Sequence, residues 1–264
     1  MSAPIRVGIG GWTFEPWRGT FYPEGLSQKK ELEFASRALT AIEINGTYYS
    51  GFKPATFAGW RDTAPEGFVY AVKASRFCTN RKVLAEGGES IAKFVNQGIV
   101  ELGDKLGPIL WQFMATKKFD PEDFGAFLKL LPESHEGVKL RHAIQVRHES
   151  FRVPEFITMC RKAGAAIVFA DSPTYPAIAD VTGDFVYARL ESGEDENPLC
   201  YPEADIGKWA GVAKEWARGG RPDGLPYVTE DAPAKRDRET FVFFIHGGKV
   251  RAPAAAQELI RRLA

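Results

Sequence analysis

The sequence predicts a (β/α)8 TIM barrel, an α/β fold forming one domain over residues 1–264, and three observations carry that expectation. Eight short apolar runs with strand-like patterning recur along the chain, and segments compatible with helices lie between them. The length, 264 residues, suits eight strand-helix units. Regular alternation of the two element types implies parallel strands, and eight units in this length favour closure over an open doubly wound sheet.

The strand-like runs are IRVGIGGW (5–12), AIEINGTYY (41–49), FVYAVKAS (68–75), PILWQF (108–113), HAIQVRH (142–148), AAIVFAD (165–171), FVYARLES (185–192) and TFVFFIH (240–246). Helices are expected in KKELEFASRAL, SIAKFVNQGIVEL, DPEDFGAFLKLL, PEFITMCRKAG, ADIGKWAGVAKEWARGG and APAAAQELIRRL. Asp120 before Pro121 reads as a capped helix start, and Gly164 and Gly219 stand where helices stop. Two polar stretches, SGEDENPLCYPEAD (192–205) and RPDGLPYVTEDAPAKRD (221–237), are long for barrel loops and are candidates for lids.

Composition narrows the function classes. A hydrophobic content of 44% supports one large core. Thirty-four basic residues balance thirty-four acidic ones, so the cationic excess of a non-specific nucleic-acid binder is lacking. Cys78, Cys160 and Cys200 are widely spaced and odd in number, which argues for free thiols over a disulfide framework. The start, MSAPIRVGIGG, does not read as a signal peptide, and no run approaches the roughly 18 apolar residues of a membrane span. A cytoplasmic protein without nucleic-acid or membrane partners is expected; oligomeric state is not legible.

Parity converts strands into a site. With Ile42 and Ile44 facing the helices, Glu43 and Asn45 point inward. Similar choices in the other strands give Trp12, Lys73, Gln112, Gln145 with Arg147, Asp171, Arg189 with Glu191, and His246. These polar residues collect at C-terminal strand ends, where this architecture builds active sites. Burying Lys73, Arg147 and Arg189 beside Glu43, Asp171 and Glu191 costs several kcal/mol per uncompensated ion, on the order of what a packed apolar barrel avoids, so a polar pocket is expected.

The cations, joined by Arg76, suit a small anionic ligand, carboxylated or phosphorylated. Glu43 and Asp171 are candidate general acid and base, and His148 or His246 a proton shuttle. Gly247 and Gly248 lead towards a helix, where backbone amides could hold phosphate, although two glycines without a longer motif read more simply as an ordinary tight turn. Trp12 and Tyr48 supply an aromatic wall. Glu43, Asp171 and His246 could meet on a metal ion, but four histidines without HxH or HExxH spacing, and three cations in the same space, weigh against it. There is no organic cofactor motif.

GIGGWTFEPWRGTFYPEG, EINGTYY, AVKASRFCTN, LGPILWQF, QVRHESF and FVYARL together resemble, in order, the motifs of the YecE-like family, domain of unknown function 72. The resemblance spans nearly the whole chain and implies a TIM barrel of uncharacterised activity. Departures from the family pattern stand at Gln145 for a glutamate, at Glu191 and Ser192 for His-Gly, at Asn80 for a histidine, and at His246, Gly247 and Gly248 for Asn-Asn-Asp. An amide at 145 removes a general base or a metal ligand. The expected function is therefore an enzyme-like pocket for a small anion, sugar-derived ones included, with hydrolase, lyase or isomerase chemistry, or else a non-catalytic binding protein with a degenerate site.

Overall fold

A computed structural model of the chain describes residues 3–231 and 234–264. Eight parallel strands close into a barrel: β1 (Ile5–Gly10), β2 (Ala41–Ile44), β3 (Val69–Lys73), β4 (Leu106–Gln112), β5 (His142–Gln145), β6 (Ala166–Asp171), β7 (Phe185–Leu190) and β8 (Glu239–Phe244). Each strand pairs with its neighbours in sequence, and β1 closes on β8 with Ile5 level with Thr240. Around it run α1 (Glu31–Ala38), α2 (Pro54–Thr63), α3 (Gly88–Val95), α4 (Pro121–Leu130), α5 (Pro154–Ala163), α6 (Glu203–Ala217) and α7 (Ala252–Leu263). Two chain segments depart from strict alternation. Residues 172–184 run from β6 to β7 without a helix, and a small antiparallel hairpin, Ser134–His135 with Val138–Lys139, precedes β5.

Local sequence sets the helix ends. The Asp120 carboxylate accepts from the backbone N–H groups of Glu122 and Asp123, satisfying donors that the first turn of α4 leaves free. Gly164 takes the left-handed conformation, φ 65°, that ends α5. Helix α2 was not legible as a helix because Phe57 is its one fully buried apolar anchor, too little for a visible stripe.

Two apolar layers follow from strand parity. Val7, Ile9, Ile42, Ile44, Tyr70, Val72, Ile109, Trp111, Val186 and Phe244 face the helices. The barrel interior holds Ala41, Ala71, Ala143, Ala166 and Val168 on one side and Phe185, Tyr187, Phe241 and Phe243 on the other. Small residues on β2, β3, β5 and β6 thus make room for rings from β7 and β8, each worth about 1.5–3 kcal/mol of burial. Gly8 belongs to the same arrangement: a Cβ there would lie 2.0 Å from the backbone oxygen of Ala41 and 3.3 Å from the Phe243 ring.

The strands are shorter at their C-terminal ends than their apolar runs suggest. The run 41–49 ends as a strand at Ile44 and coils into the single turn Gly46–Tyr49, and 142–148 ends at Gln145. The two candidate lids separate. Residues 192–202 follow β7 and lie at the C-terminal mouth, whereas the described residues of the second stretch, 221–231 and 234–237, precede the start of β8 at the opposite end, with 232 and 233 outside the described residues. There the Asp180 carboxylate accepts from the backbone N–H groups of Val228 and Thr229 at 2.6 and 3.0 Å. That segment therefore cannot cover the mouth. Among the described residues, no helix is long and apolar enough to cross a membrane.

Candidate functional site

Above the interior rings, the inward positions turn polar. Glu43 from β2, Lys73 from β3, Gln112 from β4, Gln145 from β5 and Arg189 from β7 are all buried, and Glu191 lies buried just beyond β7. Arg189 occupies the centre. Its Nε donates to Glu43 Oε2 and its Nη2 to Glu43 Oε1, both at 3.1 Å, while Nη1 donates to Glu191 Oε1 at 2.6 Å and to Gln145 Oε1 at 2.7 Å. The Gln145 amide donates onward to Glu191 Oε1 at 3.1 Å. One layer below, the Tyr187 hydroxyl crosses the barrel and donates to Glu43 Oε2 at 2.7 Å. Every oxygen of Glu43 is thus engaged, the condition under which a fully buried carboxylate is tolerated.

Protonation follows from these contacts. Burial alone pushes the Glu43 carboxyl up, but Arg189, Lys73 and the Tyr187 bond together hold it below the ordinary carboxylate range. Burial also pulls Arg189 down, and Glu43 and Glu191 more than reverse this. For Lys73 the compensation falls short. Burial, with Arg189 and Arg147 nearby, presses its ammonium down to about 8 against the opposing pull of Glu43.

Two cations at the mouth have no carboxylate partner among the described residues. The Lys73 ammonium sits 4.3 Å from the centre of the Tyr48 ring, and the Arg147 guanidinium 4.3 Å from that of Tyr175. The backbone behind Lys73 is pinned by the Thr47 hydroxyl, which donates to the Lys73 carbonyl at 2.6 Å. Two buried polar atoms close by lack hydrogen-bond partners, the Nε of Arg147 and the Oε1 of Gln112. Asn45 is half-buried, its amide directed to the Glu43 carbonyl at 3.4 Å, and Tyr48 accepts from the Asn80 amide at 2.9 Å.

Several expected members do not join this cluster. Ala166 and Val168 point inward, so Ala170 continues that face and Asp171 turns outward. Its carboxylate accepts from the Tyr201 hydroxyl at 2.9 Å and borders a separate cavity of about 280 Å³ with Ser192, Asp205 and Lys208. His246 shares the outward parity of Val242 and Phe244 and is exposed, with φ 73°. Glu43, Asp171 and His246 therefore do not converge, and among the described residues no group of three or more His, Cys, Asp or Glu could hold a metal ion.

Trp12 leaves the interior because β1 stops at Gly10 and Gly11 turns the chain at φ 74°. Its ring meets Trp60 edge-on at 5.2 Å and lines a groove of about 520 Å³ between α1 and α2. Arg76 is exposed, its guanidinium 5.3 Å from the Phe77 ring. His148 braces the strand end: its Nδ1 pairs with the Ser150 hydroxyl at 2.9 Å and accepts from the Ser150 backbone N–H at 3.1 Å.

Gly247 and Gly248 form a tight turn against the 191–200 segment and not a phosphate cradle. A Cβ on Gly247 would lie 2.4 Å from the Gly193 oxygen, and one on Gly248 2.6 Å from the Cys200 sulfur. The Asp195 carboxylate already accepts from the backbone N–H of Val250 at 2.8 Å, supplying the negative charge that the approach to α7 favours.

Tyr187 and Tyr175 are site residues that the strand reading missed. Tyr187 was accessible in principle, since it shares the inward parity of Arg189 two residues on. Tyr175 lies in the irregular 172–184 segment, where no periodicity marks a direction.

A family model described as protein of unknown function DUF72 matches residues 6–264. No curated protein matches the chain. Among solved structures, a DUF72 family protein from Thermotoga maritima is 24% identical, with a TM-score of 0.75 and coverage of 98% of each chain. A DUF72 family protein from Enterococcus faecalis is 18% identical, with a TM-score of 0.72, covering 98% of this chain and 95% of that one. A structure named SacUVDE reaches a TM-score of 0.56 at 11% identity, over 98% and 99% of the two chains. At these identities the likenesses bear on the fold.

Proposed function

The chain belongs to the DUF72 family of proteins of unknown function, and within it we propose an enzyme-like barrel that holds a small carboxylated or phosphorylated ligand at its C-terminal mouth. One observation carries the reading. Arg189 is neutralised by Glu43 and Glu191, whereas Lys73 and Arg147 form no ion pair among the described residues. A buried or half-buried cation without a partner is costly, and a ligand anion supplies what is lacking. The unpaired Arg147 Nε offers a donor to that anion, and the unpaired Gln112 Oε1 an acceptor for a ligand hydroxyl. An anion that also carries a hydroxyl, such as a hydroxy acid or a sugar phosphate, meets both. In this reading Glu43 and Glu191 set the position of Arg189, and the proton-handling roles expected of Asp171 and His246 have no support in the geometry.

Thermal unfolding in the presence of inorganic phosphate, sugar phosphates and hydroxy acids tests it. A ligand at a hundred times its Kd stabilises by about 2.7 kcal/mol, and Arg147→Ala should abolish the shift. If no anion raises the Tm, or if the variant responds as the parent does, the reading is wrong. Gln145 favours a second one. Its amide is fully committed to Arg189 and Glu191, leaving no free base there, as in a barrel that binds without turnover. Mass spectrometry of a bound ligand over time separates the two.

A further inference from the structure

The anion-pocket reading is the footing for a covalent step: we propose that the Lys73 amine forms an imine with the carbonyl carbon of a ligand whose anionic group is held by Arg147. The ligand class is then a keto acid or a phosphorylated hydroxy ketone or aldehyde.

Position is the first ground. Lys73 is the last residue of β3, points inward at the C-terminal mouth and is 8% exposed. Its Nζ lies over the face of Tyr48 at 4.3 Å, and neither an ion pair nor a hydrogen bond engages that nitrogen among the described residues. A structural lysine in such burial is ordinarily paired, as Lys105 is with the Arg61 and Ala64 carbonyls, both at 2.6 Å. The carboxylate best placed to pair with Lys73, Glu43, is spent on Arg189 and Tyr187.

The second ground is the set of charged groups around it. Arg189 from β7 and Arg147 beyond β5 disfavour the ammonium, and Glu43 and Glu191 favour it. Burial and the two guanidinium groups prevail, leaving Lys73 at about 8. About one molecule in ten then carries the neutral, nucleophilic amine at pH 7, against well under one in a thousand for an ordinary lysine. Desolvation beside other cations is the usual means of activating an amine for this chemistry. The third ground is that Arg147 Nε and Gln112 Oε1 have unfilled hydrogen-bonding capacity at the same mouth, one for an anion and one for a hydroxyl.

The step balances without an oxidant. The nitrogen lone pair forms the C–N bond while the carbonyl π pair moves to oxygen, and a proton passes from nitrogen to that oxygen to give a carbinolamine. Expulsion of the hydroxyl with the second amine hydrogen leaves C=N and one water.

The test is reductive trapping on the full chain. Pyruvate and dihydroxyacetone phosphate are incubated separately with the protein, borohydride is added to deliver hydride to the imine carbon, and the adduct is located by intact mass and peptide mapping. The expected result is one adduct per chain, on the Lys73 peptide, with at least one probe, suppressed by inorganic phosphate. The adduct's dependence on pH should rise near 8, below the range of surface lysines. Lys73→Arg keeps the charge and should lose the adduct, while mapping of the parent keeps the assignment independent of that variant's folding. An adduct confined to other lysines overturns the proposal. No adduct from either probe, with phosphate still raising the Tm, overturns the imine and spares the anion pocket; no adduct and no stabilisation by phosphate or either probe overturns both.

Discussion

Replacing Glu43 by Gln should be among the most damaging isosteric changes in the barrel. The carboxylate makes two 3.1 Å contacts to Arg189 and accepts from Tyr187 at 2.7 Å, all fully buried. At 3.1 Å and an effective dielectric constant of 20, the lost attraction to Arg189 is about 5 kcal/mol. Removing one partner of a buried pair costs about 3–5 kcal/mol in general. The remaining contact from Arg189 to Glu191, at 2.6 Å, keeps the guanidinium from being wholly uncompensated. We therefore expect a loss of about 3–4 kcal/mol at neutral pH, read from the urea midpoint at constant slope.

The pH dependence supplies the sign. Glu43 is held below its unfolded value, so its stabilisation is fully present above the ordinary carboxylate range and is lost as pH falls through its lower folded value. The gap between parent and variant should widen somewhat as pH falls through the neutral range, where Lys73 titrates lower in the variant, and narrow only at acidity below about pH 5. Lys73 gives a second readout, because Glu43 is one of the groups holding it up; its titration should move below about 8 in the variant. A loss under about 1 kcal/mol, a size typical of an exposed pair, or a gap that closes while the pH is still near neutral would refute the reasoning.

Three further changes probe other parts of the structure. Tyr187→Phe removes one hydrogen bond to a buried charge and should cost about 1.5–3 kcal/mol by the same urea assay. Gly8→Ala places a methyl 2.0 Å from the Ala41 carbonyl oxygen; because the clash is with backbone, it should cost at least about 3 kcal/mol or prevent soluble expression. Asp171 is pushed up by burial, against the Tyr201 and Ser192 hydrogen bonds. The parent should therefore lose stability as pH rises from the ordinary carboxylate range through that raised value, and Asp171→Asn should flatten the profile there, as followed by Tm against pH.

The residues that sequence reading placed correctly and those it misplaced differ in one physical respect. In β2 and β7 the runs AIEI and FVYARL put a charged residue inside an apolar stretch, and after β3 the buried Ala74 continues the apolar run past Lys73; that contrast fixes which parity faces the interior. Glu43, Lys73 and Arg189 follow directly. In β6 and β8 the runs AIVFAD and ETFVFF are apolar on both faces, because one face meets the barrel interior and the other the helices. With no contrast along the strand, the polar residue at its end was the sole guide, and Asp171 and His246 were assigned one position out of phase. Trp12 failed differently: the count of two held as far as Gly10, and the left-handed Gly11 then redirected the chain. The barrel itself was more legible than its mouth because it depends only on how often apolar runs recur, whereas the mouth depends on the exact residue at which each strand stops.

The charge balance of the mouth explains why Gln145 suits this arrangement. Arg189 already has two carboxylates, and Gln145 Nε2 lies 3.1 Å from Glu191 Oε1 while its Oε1 lies 2.7 Å from Arg189. A glutamate at 145 would keep the contact to Arg189 and turn the contact to Glu191 into a repulsion between carboxylates, which Arg189, touching both positions, offsets. The same substitution would bring a third negative charge to a mouth where Lys73 and Arg147 now stand uncompensated, partly satisfying them from within. Gln145→Glu should therefore weaken binding of an external anion while raising the Lys73 pKa. Both effects are measurable on one variant, by the phosphate-induced shift in Tm and by the pH profile of borohydride trapping at Lys73. If phosphate binding is unchanged and the profile does not move, the two cations do not respond to the charge at 145, and the mouth is not the electrostatic unit that its hydrogen bonds describe.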